Sequence, residues 1–390
     1  MSNRDPVIVS AVRTAIAKKG GTLAKILPHQ FGAIVIREVI NRVNIPAEIV
    51  DDVIIGNLLS GGGNIARLTV LQAGLPLEVP GLTIDRQCGS GLNAIMLAAQ
   101  AIKAGDGEIF IAGGVESMTR APYLLEPPSR AYSPKPPEFR ELQVSTKEIG
   151  NPPMGITAEN LAKRYNISRD EQDEYAYRSQ MRMANAVSKG YFQEQIISID
   201  VPTKTGFISF HSDEHPRPET SLEALAKLKP AFKDKGTVTA GNSSGLNDAA
   251  SALVVMSRGK AMELGIKPLA VIRDYSISAV DPNIMGIGPV PAIRKLLKKS
   301  NMNINNIDLI ELNEAFAAQV IACDRELEFD SEKLNVNGGA IAHGHPLGAT
   351  GAILTTKAIY ELHRTKKLTA IISACIGGGQ GIAALIEREE

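Results

Sequence analysis

The stretch "LTIDRQCGSGLNAIMLAAQAIKAG" (82–105) runs from a short strand through a glycine-rich turn bearing a cysteine into an apolar helix. The same order returns in "LNVNGGAIAHGHPLGATGAILTTKAIYELH" (334–363), whose turn carries His343 and His345, with a proline directly after the second. Leu92, Ile95, Ala99 and Ile102 in one helix, and Ile353, Ala358, Ile359 and Leu362 in the other, recur at the spacing of a buried helical face. Upstream of each lies a helix end, a short linker, a strand and an asparagine: "NIPAEIVDDVIIGN" (44–57) and "NINNIDLIELN" (303–313). A further strand follows each, "EIFIAGGVES" (108–117) and "LTAIISACIGGGQG" (368–381). Matching order predicts a duplicated α/β domain with mainly buried strands. In that arrangement equivalent turns of the two halves meet across a pseudo-two-fold axis.

Residues 118–245 break this pattern. "APYLLEPPSRAYSPKPPEFRELQVSTKEIGNPPMG" (121–155) is rich in proline and reads as loop. Helix signals follow, with a start at Thr157–Asn160 and a capping box of Ser168 with Glu171. The chain returns through "GTVTAGNSSGLNDAASALVVMSR" (236–258), whose strand "ASALVVMS" is expected to close the first sheet. The expected domains are residues 1–117 with 246–268, an inserted loop domain of residues 118–245, and residues 269–390.

The 390 residues, 44% hydrophobic and 22% charged, suit a globular protein with more than one core. Zero formal net charge argues against a nucleic-acid surface or a polybasic membrane anchor. No apolar run approaches the ~18 residues of a membrane span, and the apolar stretch near the N-terminus is too short for a signal peptide. Three cysteines do not make a disulfide framework, so a reducing, cytoplasmic location is expected.

In that setting a single thiol can be reactive. Cys88 stands where helix N–H groups and the helix dipole stabilise a thiolate, which predicts a lowered pKa. Gly89 and Gly91 are read as letting a substrate approach the backbone. Taken alone, such a cysteine is more often a small buried hydrophobe. Cys323 has helical core spacing and is assigned to packing. An imidazole of the 338–351 turn could take a thiol proton, and Asn313 at a strand end could hold a water or donate to an oxyanion. Cys375 ends another strand. Duplication brings Cys88 and His345 into corresponding turns, with Asn313 and Cys375 near the same crevice, which supplies a nucleophile and a separate proton shuttle. No paired cysteine spacing points to zinc, and no metal is expected.

"DRQCGSGLNAI", "NEAFA", "GGAIAHGHPLGATG" and "CIGGGQG" occur in the order and separation found in the thiolases, which make or cleave 3-ketoacyl-CoA. The resemblance runs from "VIVSAVRTA" to "GIAALIE". It implies a five-layered α-β-α-β-α fold and a ping-pong reaction through an acyl-cysteine, without a prosthetic group. Cys88 would be acylated, and His345 would take its proton. His345 and Asn313, the latter through a water, would form one oxyanion site. Cys375 would move the proton of the acetyl-CoA methyl, and the N–H groups of Cys88 and Gly377 would form the second oxyanion site. "GTVTAGNSSGLNDAA" and "SLEALAKLKPAF" look like segments that flank coenzyme A, with Ser244 at the pantetheine arm and Arg217 near the nucleotide. Implied partners are acetyl-CoA, acyl-CoA, 3-ketoacyl-CoA and a second copy of the chain, as a dimer or tetramer.

Two positions depart from the family pattern. His343 stands where an apolar residue is usual and is read as a partly exposed or hydrogen-bonded spacer. Pro153 replaces the histidine typical of acetoacetyl-CoA specialists, which opens the site to longer 3-ketoacyl chains. One alternative is a ketoacyl-synthase-like condensing enzyme using two histidines and a cysteine, against which Cys375 and the CoA-flanking segments argue. Another is an inactive acyl-CoA-binding relative.

Overall fold

The computed structural model describes residues 2–60, 62–128, 130–132, 135–140 and 142–389. Its first half contains β1 (Pro6–Thr14), α1 (Pro28–Val43), β2 (Asp52–Gly56), β3 (Gly81–Ile84), α2 (Ser90–Ala104) and β4 (Ile109–Ser117). The excursion adds α3 (Met154–Arg164) and α4 (Arg169–Ser188), and β5 (Asn247–Ser257) returns to the sheet. The second half comprises β6 (Ala270–Ala279), α5 (Pro289–Ser300), β7 (Leu309–Leu312), α6 (Ala317–Leu327), α7 (Leu347–Thr365), β8 (Thr369–Ile376) and β9 (Gln380–Arg388).

Hydrogen-bonded neighbours run β7-β8-β9-β6-β1-β5-β4-β2-β3. The halves join at β1 and β6, an antiparallel pair in which Val7 faces Val271 and Ile8 faces Ala270. Outward from that seam each half repeats itself: β5, β4, β2, β3 on one side, and β9, β8, β7 on the other. An isolated parallel bridge of Leu334 to Ile310 stands where β3 pairs with β2. The fold is therefore the duplicated α/β architecture read from the sequence.

Every residue of β1, β4, β5 and β8 is buried, because helices cover both faces of the sheet. Three apolar clusters mark the layers. One packs α1 on the first half-sheet, one surrounds α2 and α7 between the half-sheets, and one packs α5 and α6 on the second. Strand β5 lies between β1 and β4 rather than at an edge, so it completes the interior of the first sheet.

Glycine sets the distance between the two central helices. A Cβ on Gly91 would fall 2.7 Å from the Gly348 carbonyl oxygen, and one on Gly351 would fall 2.3 Å from the Leu92 nitrogen. Backbone meets backbone here, at the N-terminal turns of α2 and α7. Gly91 thus serves helix packing and not substrate approach, and Gly89 is closed by Ile376 and Ile382.

The excursion is anchored to β1 by a buried, two-pronged ion pair. Arg13 Nη1 and Nη2 lie 2.8 and 3.0 Å from the Asp213 oxygens, and Arg13 Nε donates to Gln195 at 2.9 Å. The capping box forms as read, with Ser168 and Glu171 exchanging bonds of 2.7 and 3.1 Å. Helix α3 begins at Met154, ahead of the expected Thr157. Pro153 takes the extended entry position, and the Thr157 hydroxyl turns back to the Met154 carbonyl instead of capping.

Candidate active site

Cys88 stands two residues before the first residue of α2, and His345 two before the first residue of α7. The pseudo-symmetry makes these turns equivalent, and the glycine contact of their helices brings them together. His345 is buried, its backbone N–H donating to Asn247 Oδ1 at 3.0 Å. Its Nδ1 lies 2.7 Å from the Thr350 hydroxyl, one turn into α7, and its Nε2 lies 3.5 Å from Asn313 Nδ2. With the Asn313 amide donating, Nε2 is the bare acceptor and Nδ1–H donates to Thr350. Burial lowers the imidazole pKa to about 4, so the ring is neutral at neutral pH.

Asn313 directly follows β7, its N–H bonded to the Ser373 carbonyl at 2.9 Å. Its Oδ1 is buried without a hydrogen-bond partner among the described residues. Cys375, near the end of β8, is buried among Ala158, Met285, Ala315 and Phe316. Burial, then the neighbouring Cys88 sulfur, hold its thiol well above the usual range.

The lowered Cys88 pKa expected from the helix N-terminus is not found. The residue as a whole is half-buried, but its sulfur is crowded by protein, and this desolvation pushes the thiol up to about 11. The N–H groups of Gly377 and Cys88 itself bond the sulfur and pull the other way, but they do not offset the desolvation. Helix α2 also starts beyond Cys88. The thiol therefore keeps its proton until a base removes it. The preceding residue, Gln87, is held at φ 47°, a left-handed conformation that a side chain adopts at a cost of roughly 1 kcal/mol.

The counterpart crevice shows what the duplication did with its second copy. Register places Gly56 beside Gly114 and Leu312 beside Ser373, so Asn57 corresponds to Asn313 and Glu116 to Cys375. Buried Glu116 accepts from the N–H groups of Leu58, Leu59 and Ser60 and, at 3.0 Å, from Gly348 in the first turn of α7. One crevice carries thiols, and the other clamps the helix that presents His345.

Glu314 works similarly. It accepts from Tyr175 (2.9 Å), Ser179 (2.7 Å), Asn335 (3.0 Å) and the Ile341 N–H (3.1 Å), tying α4 to the histidine turn. Glu314→Ala strands four buried donors and is expected to lower unfolding free energy by about 3 to 4 kcal/mol. A urea midpoint within error of wild type would contradict this. Thr350, Asn247, Glu116 and Glu314 escaped the sequence reading. Glu314, adjacent to Asn313 in "NEAFA", offered a signal: a carboxylate inside an apolar run needs donors.

His343 is fully buried, correcting the partly exposed alternative. Its Nδ1 lies 2.8 Å from the Gly344 carbonyl, and its pKa falls well below the usual value through burial and then Lys357. Ser244 is half-buried, its N–H bonded to the Ala315 carbonyl at 3.0 Å beside Asn313. Arg217 is exposed; its backbone N–H donates to Gln180 at 2.8 Å and its carbonyl accepts from the Thr220 N–H at 3.1 Å. Cys323 is buried in the α6 core, as expected for a packing residue. Among the described residues, no three His, Cys, Asp or Glu side chains are grouped to hold a metal ion.

The thiolase N-terminal domain family matches residues 6–259, and the thiolase C-terminal domain family matches residues 266–388. An acetyl-CoA acetyltransferase of Syntrophomonas wolfei is 48% identical, over 98% of this chain and 99% of that protein. The β-ketothiolase BktB of Cupriavidus necator is 44% identical over 99% of each. The crystal structure of Bacillus anthracis acetyl-CoA acetyltransferase superposes with a TM-score of 0.95 at 45% identity, covering 99% of both chains. Human mitochondrial 3-ketoacyl-CoA thiolase in complex with CoA gives 0.93 at 41% identity, covering 100% of this chain and 99% of that one. Both halves, the crevice between them and these matches agree: the chain belongs to the thiolase family.

Proposed function

We propose that the chain catalyses reversible acyl transfer between 3-ketoacyl-CoA and acetyl-CoA plus acyl-CoA, with Cys88, Asn313, His345, Cys375 and Gly377 carrying the chemistry. One observation carries this reading. Cys88 and His345 each stand two residues before helices α2 and α7, whose first turns touch through Gly91 and Gly348, and the neutral His345 ring is held by Thr350 with its Nε2 beside Asn313.

In thiolysis His345 takes the Cys88 proton, and the sulfur attacks the 3-keto carbon. The C2–C3 bond breaks, and its electron pair leaves on the acetyl-CoA carbon, which takes the Cys375 proton. The Cys375 thiolate then removes the proton of incoming coenzyme A. The CoA sulfur takes the acyl group, and Cys88 leaves and recovers its proton from His345. The N–H groups of Cys88 and Gly377 suit the oxyanion on the Cys88 adduct. His345 and the buried amide of Asn313, through a water, suit the enolate of acetyl-CoA. One such donor is typically worth about 3 to 4 kcal/mol.

Ser244 is assigned to the pantetheine arm and Arg217 to the nucleotide. For the pantetheine arm, Ser243, next to Ser244, bridges Phe316, whose ring meets Phe232 edge-on at 6.0 Å, and Phe232 lines a cavity of about 400 Å³ with Lys229, Lys233 and Lys235. Coenzyme A thioesters are thus substrates rather than resident cofactors. Proline at 153 leaves the acyl length open beyond four carbons. The domain division at residues 118, 246 and 269, a homodimer or tetramer, and a cytoplasmic location belong to the same proposal. No helix among the described residues is long and apolar enough to cross a membrane.

The ketoacyl-synthase alternative needs a second histidine at the sulfur, whereas His343 is bound to the Gly344 carbonyl and shielded by burial. The test is mass spectrometry after quenching with acetyl-CoA or a 3-ketoacyl-CoA. Acyl mass on the Cys88 peptide is expected, and acylation elsewhere overturns the assignment.

A further inference from the structure

Gly377 lies between two side chains that lead to different parts of the site. A Cβ placed on it would lie 3.7 Å from both Met154 Sδ and Gln87 Oε1. Met154 is followed by Gly155, against which the ring of Phe232 packs, and Phe232 lines the lysine-rimmed cavity given above to coenzyme A. The Gln87 side opens into a different cavity, of about 360 Å³, walled by Asp85, Arg86, Gln87, Gln143 and Gln380 with Val144 and Gly377. Among the described residues of this wall, only Val144 brings an apolar side chain.

This wall is built rather than incidental. Arg86 is fixed by Gln380 at 3.1 Å and by Asn93, and the Gln87 N–H donates to Asp85 at 2.7 Å. Asn151 Oδ1 accepts from the Val144 and Ser145 N–H groups at 3.0 and 3.2 Å, and Gly378, at φ 83°, brings its backbone against the Val144 carbonyl. An acyl group on Cys88, its carbonyl in the Cys88 and Gly377 donors, has the CoA path on one side and this cavity on the other.

We propose that this cavity receives the tail of the acyl group, and that its amide, guanidinium and carboxylate lining selects 3-ketoacyl chains ending in an oxygen-bearing group over alkyl chains of equal length. The inference rests on the acyl-Cys88 reading. In an apolar slot each added methylene improves transition-state binding about fourfold. Against this lining an alkyl tail desolvates amides that it cannot pair with, so the gain is lost. A hydroxyl or carboxyl end restores the pairing, and one made hydrogen bond sustains a preference of about fivefold to tenfold.

The experiment compares kcat/KM for thiolysis of 3-oxobutanoyl-, 3-oxohexanoyl- and 3-oxooctanoyl-CoA with six- and eight-carbon 3-oxoacyl-CoAs ending in hydroxyl or carboxyl. Alkyl values are expected to stay flat or fall with length, with oxygenated tails at least about fivefold better at equal length. Gln87→Leu combined with Gln143→Leu should reverse that order. A carboxyl end ranking first points to Arg86, and a hydroxyl end ranking first points to the amides. Either order supports the proposal. Alkyl values climbing about fourfold per methylene, or oxygenated tails no better than alkyl, overturn it. Turnover of the four-carbon substrate with Cys88 acylated keeps that failure separate from the thiolase reading. No turnover and no acylation with any substrate removes both.

Discussion

Cys88→Ser is expected to lower thiolysis by about 10⁴-fold or more, the scale on which covalent enzymes lose rate with their nucleophile. Its geometry should survive, because a hydroxyl fits where the sulfur meets the N–H groups of Cys88 and Gly377. CoA affinity by calorimetry should therefore stay within a fewfold of wild type, and no acyl adduct should be trapped. The structure explains the severity. The Cys88 thiol, held at about 11 by burial, already depends on a base, and a hydroxyl in the same place is far harder to deprotonate. Turnover near wild type would remove Cys88 as the nucleophile.

His345→Asn should cost about 10³-fold in kcat, combining a lost general base with a lost oxyanion donor, with a much smaller change in KM. The same residue sets the pH dependence. An ordinary histidine titrates near 6.5, whereas burial lowers His345 to about 4. Above that value the ring is neutral and competent, and below it the imidazolium cannot take the Cys88 proton. Wild-type kcat/KM should therefore show no step near pH 6.5 and should decline only as pH approaches 4. At the alkaline end the thiol titrates near 11, where ionisation supplies the thiolate, so this pair produces no falling limb at moderately alkaline pH. A clear inflection at 6.5 in His345-dependent activity would show a solvated imidazole, contrary to the buried one described here.

Much of the site was legible because duplication left a trace in element order. Repeated strand, turn and helix segments along the chain put Cys88 and His345 in equivalent turns. What failed was the electrostatics and the local role of glycine. The helix N-terminus suggested a lowered thiol pKa, yet desolvation dominates, and desolvation depends on every neighbour of the sulfur. Gly91, whose place beside Cys88 suggests room for a ligand, instead makes room for Gly348 of the other half.

The sequence by itself determined the duplicated α/β order, the residue types at the crevice and the family, since these follow from periodicity, turn chemistry and motif spacing along the chain. Tertiary structure alone decided which polar groups pair. It set Thr350 behind His345, made Glu116 the clamp opposite Cys375, and walled the cavity beside Cys88 with glutamines. The physical reason is range. Backbone preference is local, whereas burial and hydrogen bonding join residues as distant as Glu116 and Gly348, and only the folded chain brings them within 3.0 Å.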